Sequence, residues 1–185
     1  MPSTPPDVLV VGAGPVGLTA AAELARHGLA CRLIDAAPTP SDKSKALVLW
    51  SRSLELLDDM GAVAPFVAAG QPAHGISIHG DGALLLHMTL EIDSPYGYAL
   101  MIPQCDTEQL LAQHLGSLGL GVERGTTLVA FTADDAGVTS RLRHADGTTE
   151  TVRTAWLVGC DGAHSTVRHG LGLDFTGVAE SNDWM

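Results

Sequence analysis

The sequence predicts an α/β fold, a parallel sheet with helices packed on it, followed by a β-meander. Three observations carry this. A short β-branched run, Asp7-Val8-Leu9-Val10-Val11, ends directly in a glycine-rich turn. Helical spacing follows from Pro15 to about His27, and a second apolar run, Cys31-Arg32-Leu33-Ile34-Asp35, comes after it. From Thr126 onward, short strand-like runs alternate with Asp- and Gly-containing turns. Strand, tight turn, helix and strand within about 30 residues make a βαβ unit, whose crossover is expected to be right-handed.

The first run is apolar without alternation, the signature of a strand buried on both faces. In the helix, Val16, Ala20 and Leu24 form one stripe, with Gly17, Ala21 and Gly28 beside it, and Gly28 closes it. Residues 36–45, rich in Pro, Ser, Ala and Lys, read as a surface loop. A second helix is expected over Ser51–Met60, with Leu54, Leu57 and Met60 inward and Gly61 as its stop. Ile76–His79 and Leu84–Leu90 look like strands joined by Gly80-Asp81-Gly82. Asp106-Thr107-Glu108-Gln109 fits a capping box opening a helix that carries Leu110, Leu111, Leu115 and Leu118. The meander turns fall at Asp134–Gly137 and Asp146-Gly147, and its last strand leads into Ala155–Val158.

Composition narrows the function. At 185 residues the chain is long enough for one domain. Its formal charge of −11 leaves no basic patch for a nucleic-acid backbone and argues against an anionic membrane surface. With 45% hydrophobic and 17% charged residues it should bury a core. Cys31, Cys105 and Cys160 show no C-x-x-C spacing, so neither a disulfide framework nor a cysteine zinc site is expected. The N-terminus lacks a basic and apolar leader pattern, and no apolar run is long enough to span a bilayer. These features point to a cytoplasmic protein. The histidines do not fall at ligand spacing, so no metal site is expected, and no G-x-S-x-G nucleophile pattern occurs.

Gly12-Ala13-Gly14-Pro15-Val16-Gly17 is G-x-G-x-x-G between a strand and a helix, and Asp35 ends the next strand about 20 residues on. That context makes it a Rossmann-like fingerprint. Gly12 permits the turn, Gly14 lets a pyrophosphate approach the backbone, and Gly17 lets the helix lie against the strand. Pro15 and Val16 open the helix, whose N-terminal N–H groups and dipole favour phosphate. Asp35, with Ala36 beside it, can accept hydrogen bonds from an adenosine ribose and would repel a 2′-phosphate. The motif alone does not separate FAD from NAD.

A second motif does. Val158-Gly159-Cys160-Asp161-Gly162-Ala163-His164-Ser165-Thr166-Val167-Arg168 resembles the Asp-Gly motif of the single-component FAD-dependent monooxygenases, the flavoprotein aromatic hydroxylases. Asp161 can accept from ribityl hydroxyls, Gly162 permits the turn, Ser165 would cap the next helix, and Arg168 would tether helix to turn. Ser44-Lys45-Ala46 ahead of Ser51-Arg52-Ser53-Leu54-Glu55 resembles the segment in which a basic residue meets the ribityl–pyrophosphate region. Most members carry Arg at Lys45, so the chain keeps a point charge without the bidentate fork. Asp35 is Glu in most members. Ile102-Pro103-Gln104 resembles the Pro-Gln stretch, which puts Gln104 by the isoalloxazine or ribityl chain, and by position the Leu128 backbone would meet the adenine.

The resemblance implies an FAD/NAD(P)-binding fold over residues 1–185, with residues about 73–103 inserted toward the substrate side. It also implies a substrate-side sheet only begun at the chain's end, with the substrate domain itself beyond it. FAD is the implied cofactor, NADH or NADPH the transient reductant and a small aromatic molecule the substrate. The chemistry would belong to the flavin, so no side chain is assigned as catalytic. Cys160 reads as a small buried residue. A non-catalytic FAD or ADP module, a truncated inactive fragment, and an NAD-dependent dehydrogenase are the alternatives.

Overall fold

The computed structural model describes residues 6–42 and 45–177. Ser44, and the final stretch where the sequence places the beginning of a substrate-side sheet, lie outside the described residues. The chain opens with β1 (Val8–Val11), α1 (Pro15–Arg26) and β2 (Cys31–Asp35), and continues through β3 (Val48–Leu49), α2 (Ser51–Asp59) and α3 (Val63–Ala69). Next come β4 (Gln71–Ala73), β5 (Gly75–Gly80), β6 (Ala83–Thr89), β7 (Ala99–Met101) and α4 (Gln104–Ser117). It finishes with β8 (Val122–Arg124), β9 (Thr127–Asp134), β10 (Gly137–Arg143), β11 (Thr149–Thr154), β12 (Trp156–Gly159) and α5 (Thr166–Gly170).

The central sheet is parallel, in the order β12-β1-β2-β8. β1 is buried along its whole length because both faces are covered. Val8 and Val10 turn toward α1, α2 and α4, where they meet Leu18, Leu33, Leu54 and Leu115. Leu9 and Val11 turn the other way, onto Ile34, Leu128, Leu142, Val152 and Val167. The antiparallel meander β9-β10-β11 closes that second face. Its turns are those expected: Gly137 and Gly147 have positive φ, and Asp134 and Asp146 each accept a hydrogen bond from the backbone two residues on.

A charged cluster fastens the meander to the parallel sheet. Arg32 Nε and Nη2 donate to Glu123 at 2.8 and 2.6 Å, while Nη1 and Nη2 donate to Glu150 at 2.9 and 3.1 Å. His144 Nε2 lies 3.2 Å from the same Glu150 carboxylate. Arg32 stands on β2, Glu123 on β8 and Glu150 on β11, so one guanidinium joins three strands of two sheets.

Three features differ from the sequence expectation. The buried face of α1 is Gly17, Leu18, Ala21 and Ala22, while Val16 is 71% exposed. The apolar stripe through Val16 is therefore not the packed one; the small residues are, because helix and sheet approach closely there. α4 begins at Gln104, not at the Asp106 capping box. The N–H groups of Asp106 and Thr107 both reach back to the Pro103 carbonyl, and Asp106 sits inside the first turn, where its charge suits the dipole. α3 and the small sheet β3-β7-β4 have no counterpart in the sequence reading, and neither does β8. In the segment 73–103, β5 and β6 form the expected hairpin, a two-stranded sheet of its own, whose turn residues Asp81 and Gly82 both have positive φ. Ile76, Ile78, Leu84, Leu86 and Met88 are all exposed on it. Among the described residues no helix is long and apolar enough to cross a membrane.

Candidate functional site

The carboxyl ends of β1, β2, β8 and β12 open onto one cleft of about 680 Å³. It lies where the sheet order reverses across β1, the place where parallel α/β sheets bind ligands. Among the sequence-predicted residues, Gly12, Gly14, Pro15, Val16, Asp35, Ala36, Lys45, Gln104, Asp161 and Gly162 all line it. Gly17 lies just behind, in the first turn of α1. Leu128 does not line it: its side chain is buried in the meander core, opposite Leu142.

The three glycines of the fingerprint differ physically. Gly12 has φ +101°, and a Cβ there would sit 2.4 Å from the Cys160 carbonyl oxygen. A Cβ on Gly17 would sit 1.8 Å from the Gly12 carbonyl oxygen. Both are fixed by the fold itself. At Gly14 φ is −76°, and a Cβ would meet nothing within 4 Å. Neither backbone conformation nor packing among the described residues asks for glycine there. A side chain at 14 would stand in the cleft, in front of the first turn of α1, whose leading N–H groups have no acceptor in the helix.

Asp35 is held from two sides by backbone. Its Oδ2 accepts from the Ala13 N–H at 2.6 Å and its Oδ1 from the Ala37 N–H at 2.7 Å. Arg124 Nη1 lies 3.7 Å from Oδ2. Across the cleft, Asp161 caps α5: Oδ1 accepts from the Ser165 hydroxyl, and Oδ2 from the N–H groups of Thr166 at 2.6 Å and Val167 at 3.3 Å. Ser165 Oγ accepts from the Arg168 N–H at 2.9 Å, and Arg168 Nη1 donates to the Ala163 carbonyl at 2.8 Å. The expected cap and tether are thus both formed, and Gly162, with φ +76°, makes the turn between them. Gln104 Nε2 donates to Glu108 Oε1 at 2.8 Å, while the Gln104 N–H donates to the Ala46 carbonyl and fastens the stretch that carries exposed Lys45. Burial, aided by the neighbouring Asp161 charge, pushes the Cys160 thiol up, which keeps it protonated and a poor nucleophile.

Arg124 and Glu108 line the cleft without having been marked by the sequence. Glu108 was assigned only to a helix cap. Arg124 follows Val122-Glu123, too short a run to announce a strand, and its significance comes from pairing with Asp35 in the parallel register. The cleft lining carries four carboxylates against the two cations Lys45 and Arg124. Another cavity, of about 310 Å³ between α1, α2 and α4, is walled by Leu49, Leu56, Phe66 and Leu111 and offers no charged group. Among the described residues, no group of three His, Cys, Asp or Glu side chains could hold a metal ion.

A family model described as FAD binding domain matches residues 6–185. The chain belongs to that family. It is 39% identical to 6-methylpretetramide 4-monooxygenase of Streptomyces rimosus, over 97% of this chain and 32% of that protein. It is 41% identical to a rifampicin monooxygenase of Streptomyces venezuelae, over 92% of this chain and 35% of that protein. Among solved structures, the flavin-dependent monooxygenase PieE in complex with FAD and substrate superposes with a TM-score of 0.85 at 28% identity, over 96% of this chain and 34% of that one. The chain thus spans about a third of the length of the curated relatives it matches.

FAD is the cofactor of this FAD-binding domain, and the cleft fits it. The uncrowded Gly14 and the start of α1 leave room in which a pyrophosphate could be held. Hydroxyl acceptors stand to either side, Asp35 at the end of β2 and Asp161 after β12.

Proposed function

We propose that this chain is the cofactor-holding part of a flavin-dependent monooxygenase that hydroxylates a small aromatic molecule with O2 and NADH or NADPH. Gly14 carries the reading: it is a glycine that no contact or backbone strain among the described residues explains, set where a pyrophosphate would press against the backbone. The named relatives are monooxygenases, which favours this reading over an NAD-dependent dehydrogenase or a non-catalytic binding module.

FAD, when bound, would take a hydride from the nicotinamide and deliver one oxygen atom of O2 to an electron-rich ring, the other leaving as water. The residues of this chain bind and orient. Gly12, Gly14, Pro15, Val16 and Gly17 shape the turn and helix start that take the pyrophosphate, with Lys45 adding a point charge. Asp35, with Ala36 beside it, accepts the ribose hydroxyls; Leu128, which does not line the cleft, is given no part in holding the adenine. Asp161 and Gly162 serve the ribityl chain, and Gln104 stands by the ribityl chain or the isoalloxazine. No side chain is proposed as catalytic. The cytoplasm is the proposed location.

The test is titration of the purified protein with FAD, followed by flavin fluorescence and absorption. Saturable binding that survives excess NAD is expected; absence of FAD binding would overturn the reading. NADH oxidation stimulated by an aromatic ligand, with hydroxylated product detected by mass, tests the activity.

A further inference from the structure

The apolar cavity between α1, α2 and α4 has no part in holding a dinucleotide. Its volume of about 310 Å³ is roughly twice that of an engineered apolar cavity that takes up benzene. Met60, Phe66 and Leu111 are buried in its wall, while Val16 and Leu56, 71% and 48% exposed, stand at its mouth. Three hydroxyls belong to the lining, and they are not equivalent. Thr19 Oγ1 is engaged, donating to the Pro15 carbonyl at 2.8 Å, and Ser53 is exposed. Thr107, on α4, is only 5% exposed, and among the described residues its hydroxyl has no hydrogen-bond partner. Its backbone N–H is satisfied by the Pro103 carbonyl, so the hydroxyl alone is left over. A buried hydroxyl without a partner is costly, and a ligand that supplies one recovers the cost. A smaller hollow of about 140 Å³ shares Leu49 and Thr107 with this cavity and Gln104 with the cleft, so Thr107 stands between the two.

We propose that this cavity is a second small-molecule site, for a neutral phenol of one or two fused rings. The ring lies among the apolar side chains and the phenolic hydroxyl pairs with Thr107 Oγ1. Mostly apolar walls with one placed polar group are the usual make-up of such a site. The lining offers no charged group, and the net charge of −11 acts against an anion, so the site refuses carboxylates and phenolates. The site is separate from the cleft and stands whether or not the cleft takes FAD.

The experiment is calorimetric titration of the 185-residue protein at pH 7 with three probes. They are 2-naphthol, 2-methylnaphthalene, which has the shape without the hydroxyl, and 2-naphthoate, which carries a charge. 2-Naphthol should bind saturably, one per chain, and 2-naphthoate should not. Thr107→Val keeps the branched shape without the hydroxyl; it should weaken 2-naphthol about 3- to 10-fold and leave 2-methylnaphthalene no weaker. Leu56→Trp, a change at an exposed position that fills the mouth, should abolish binding of both. ADP should not displace 2-naphthol. Absence of saturable 2-naphthol binding, binding that survives Leu56→Trp, or displacement by ADP overturns the proposal. So does an equal effect of Thr107→Val on the two neutral probes. Self-association of the chain that closes the cavity to 2-naphthol and is broken by Leu56→Trp, read by sedimentation, would give the face to a second copy and overturn it too.

Discussion

Gly14 and Gly17 share a motif, yet alanine should act at the two positions in opposite ways. At Gly17 the new Cβ would lie 1.8 Å from the Gly12 carbonyl oxygen, a backbone atom that cannot swing aside. Relief requires the helix start to lift from the β1 turn, an overpacking strain of about 1–3 kcal/mol or more. For a chain of this size that lowers Tm by roughly 3–10 °C. At Gly14 the Cβ meets nothing, and φ of −76° suits alanine. Alanine loses some N-cap preference but also restricts the unfolded chain by about 0.4–1 kcal/mol, so stability should change by less than about 1 kcal/mol. The affinity for FAD should suffer instead. Keeping the pyrophosphate off the first N–H groups of α1 forfeits charge-assisted hydrogen bonds of about 1.5–3 kcal/mol, or 10- to 100-fold in Kd. Thermal melts without FAD, followed by circular dichroism, and FAD titrations of the same preparations separate the two effects. The reasoning fails if Gly14→Ala melts as early as Gly17→Ala, or if it binds FAD as tightly as the wild type.

The other predictions concern the supports of the site. The Arg32 guanidinium beside Glu150 holds that carboxyl below its ordinary value. Its stabilisation is therefore complete above the unfolded-state value of about 4.3 and is lost as pH falls through the folded value. Glu150→Gln should lower Tm at pH 7 and flatten its decline below about pH 4, measured by melts across pH; wild-type and variant curves that stay parallel would count against it. Ser165→Ala removes the acceptor for the Arg168 N–H and should cost about 1 kcal/mol by denaturant titration. Asp161→Ala deprives the Thr166 and Val167 N–H groups at the start of α5 of their acceptor and should weaken FAD binding as well, whereas Ser165→Ala should leave most of that binding intact. Lys45→Arg restores the bidentate fork and should tighten FAD severalfold, with Lys45→Ala weakening it and reducing the salt dependence of Kd.

Local patterns announced the parts of the fold that local chemistry makes. Val8–Val11 is buried on both faces and reads so; Gly28 and Gly61 end their helices in positive φ, as glycines at helix ends do. Asp161-Gly162 and Ser165 revealed turn and cap because the cap is closed within a few residues. What stayed hidden depends on distant partners. β8 is three half-buried residues with no alternation, and only its pairing with β2 makes it a strand. Arg124 was invisible for the same reason. The start of α4 was misplaced because Asp106 satisfies a capping pattern that the Pro103 carbonyl pre-empts by accepting the first helical hydrogen bonds. The stripe through Val16 misled because helix α1 packs by its smallest residues, which hydrophobicity alone undervalues.

The neighbours of β1 are unequal in time. β2 follows it on the chain almost at once, whereas β12, its other neighbour, comes about 150 residues later. During synthesis the first strand must wait, half-paired, until the chain has left the ribosome through Gly159. Loop-closure entropy for that last pairing has to be met before its contacts form, which makes it the slow step expected of folding. Cys160, Asp161 and Gly162 arrive with β12, so the wall of the cleft opposite Asp35 exists only once this pairing is complete. Acquisition of flavin by a nascent or refolding chain would then be an all-or-none report on closure of the sheet, timed by its last strand rather than by its first.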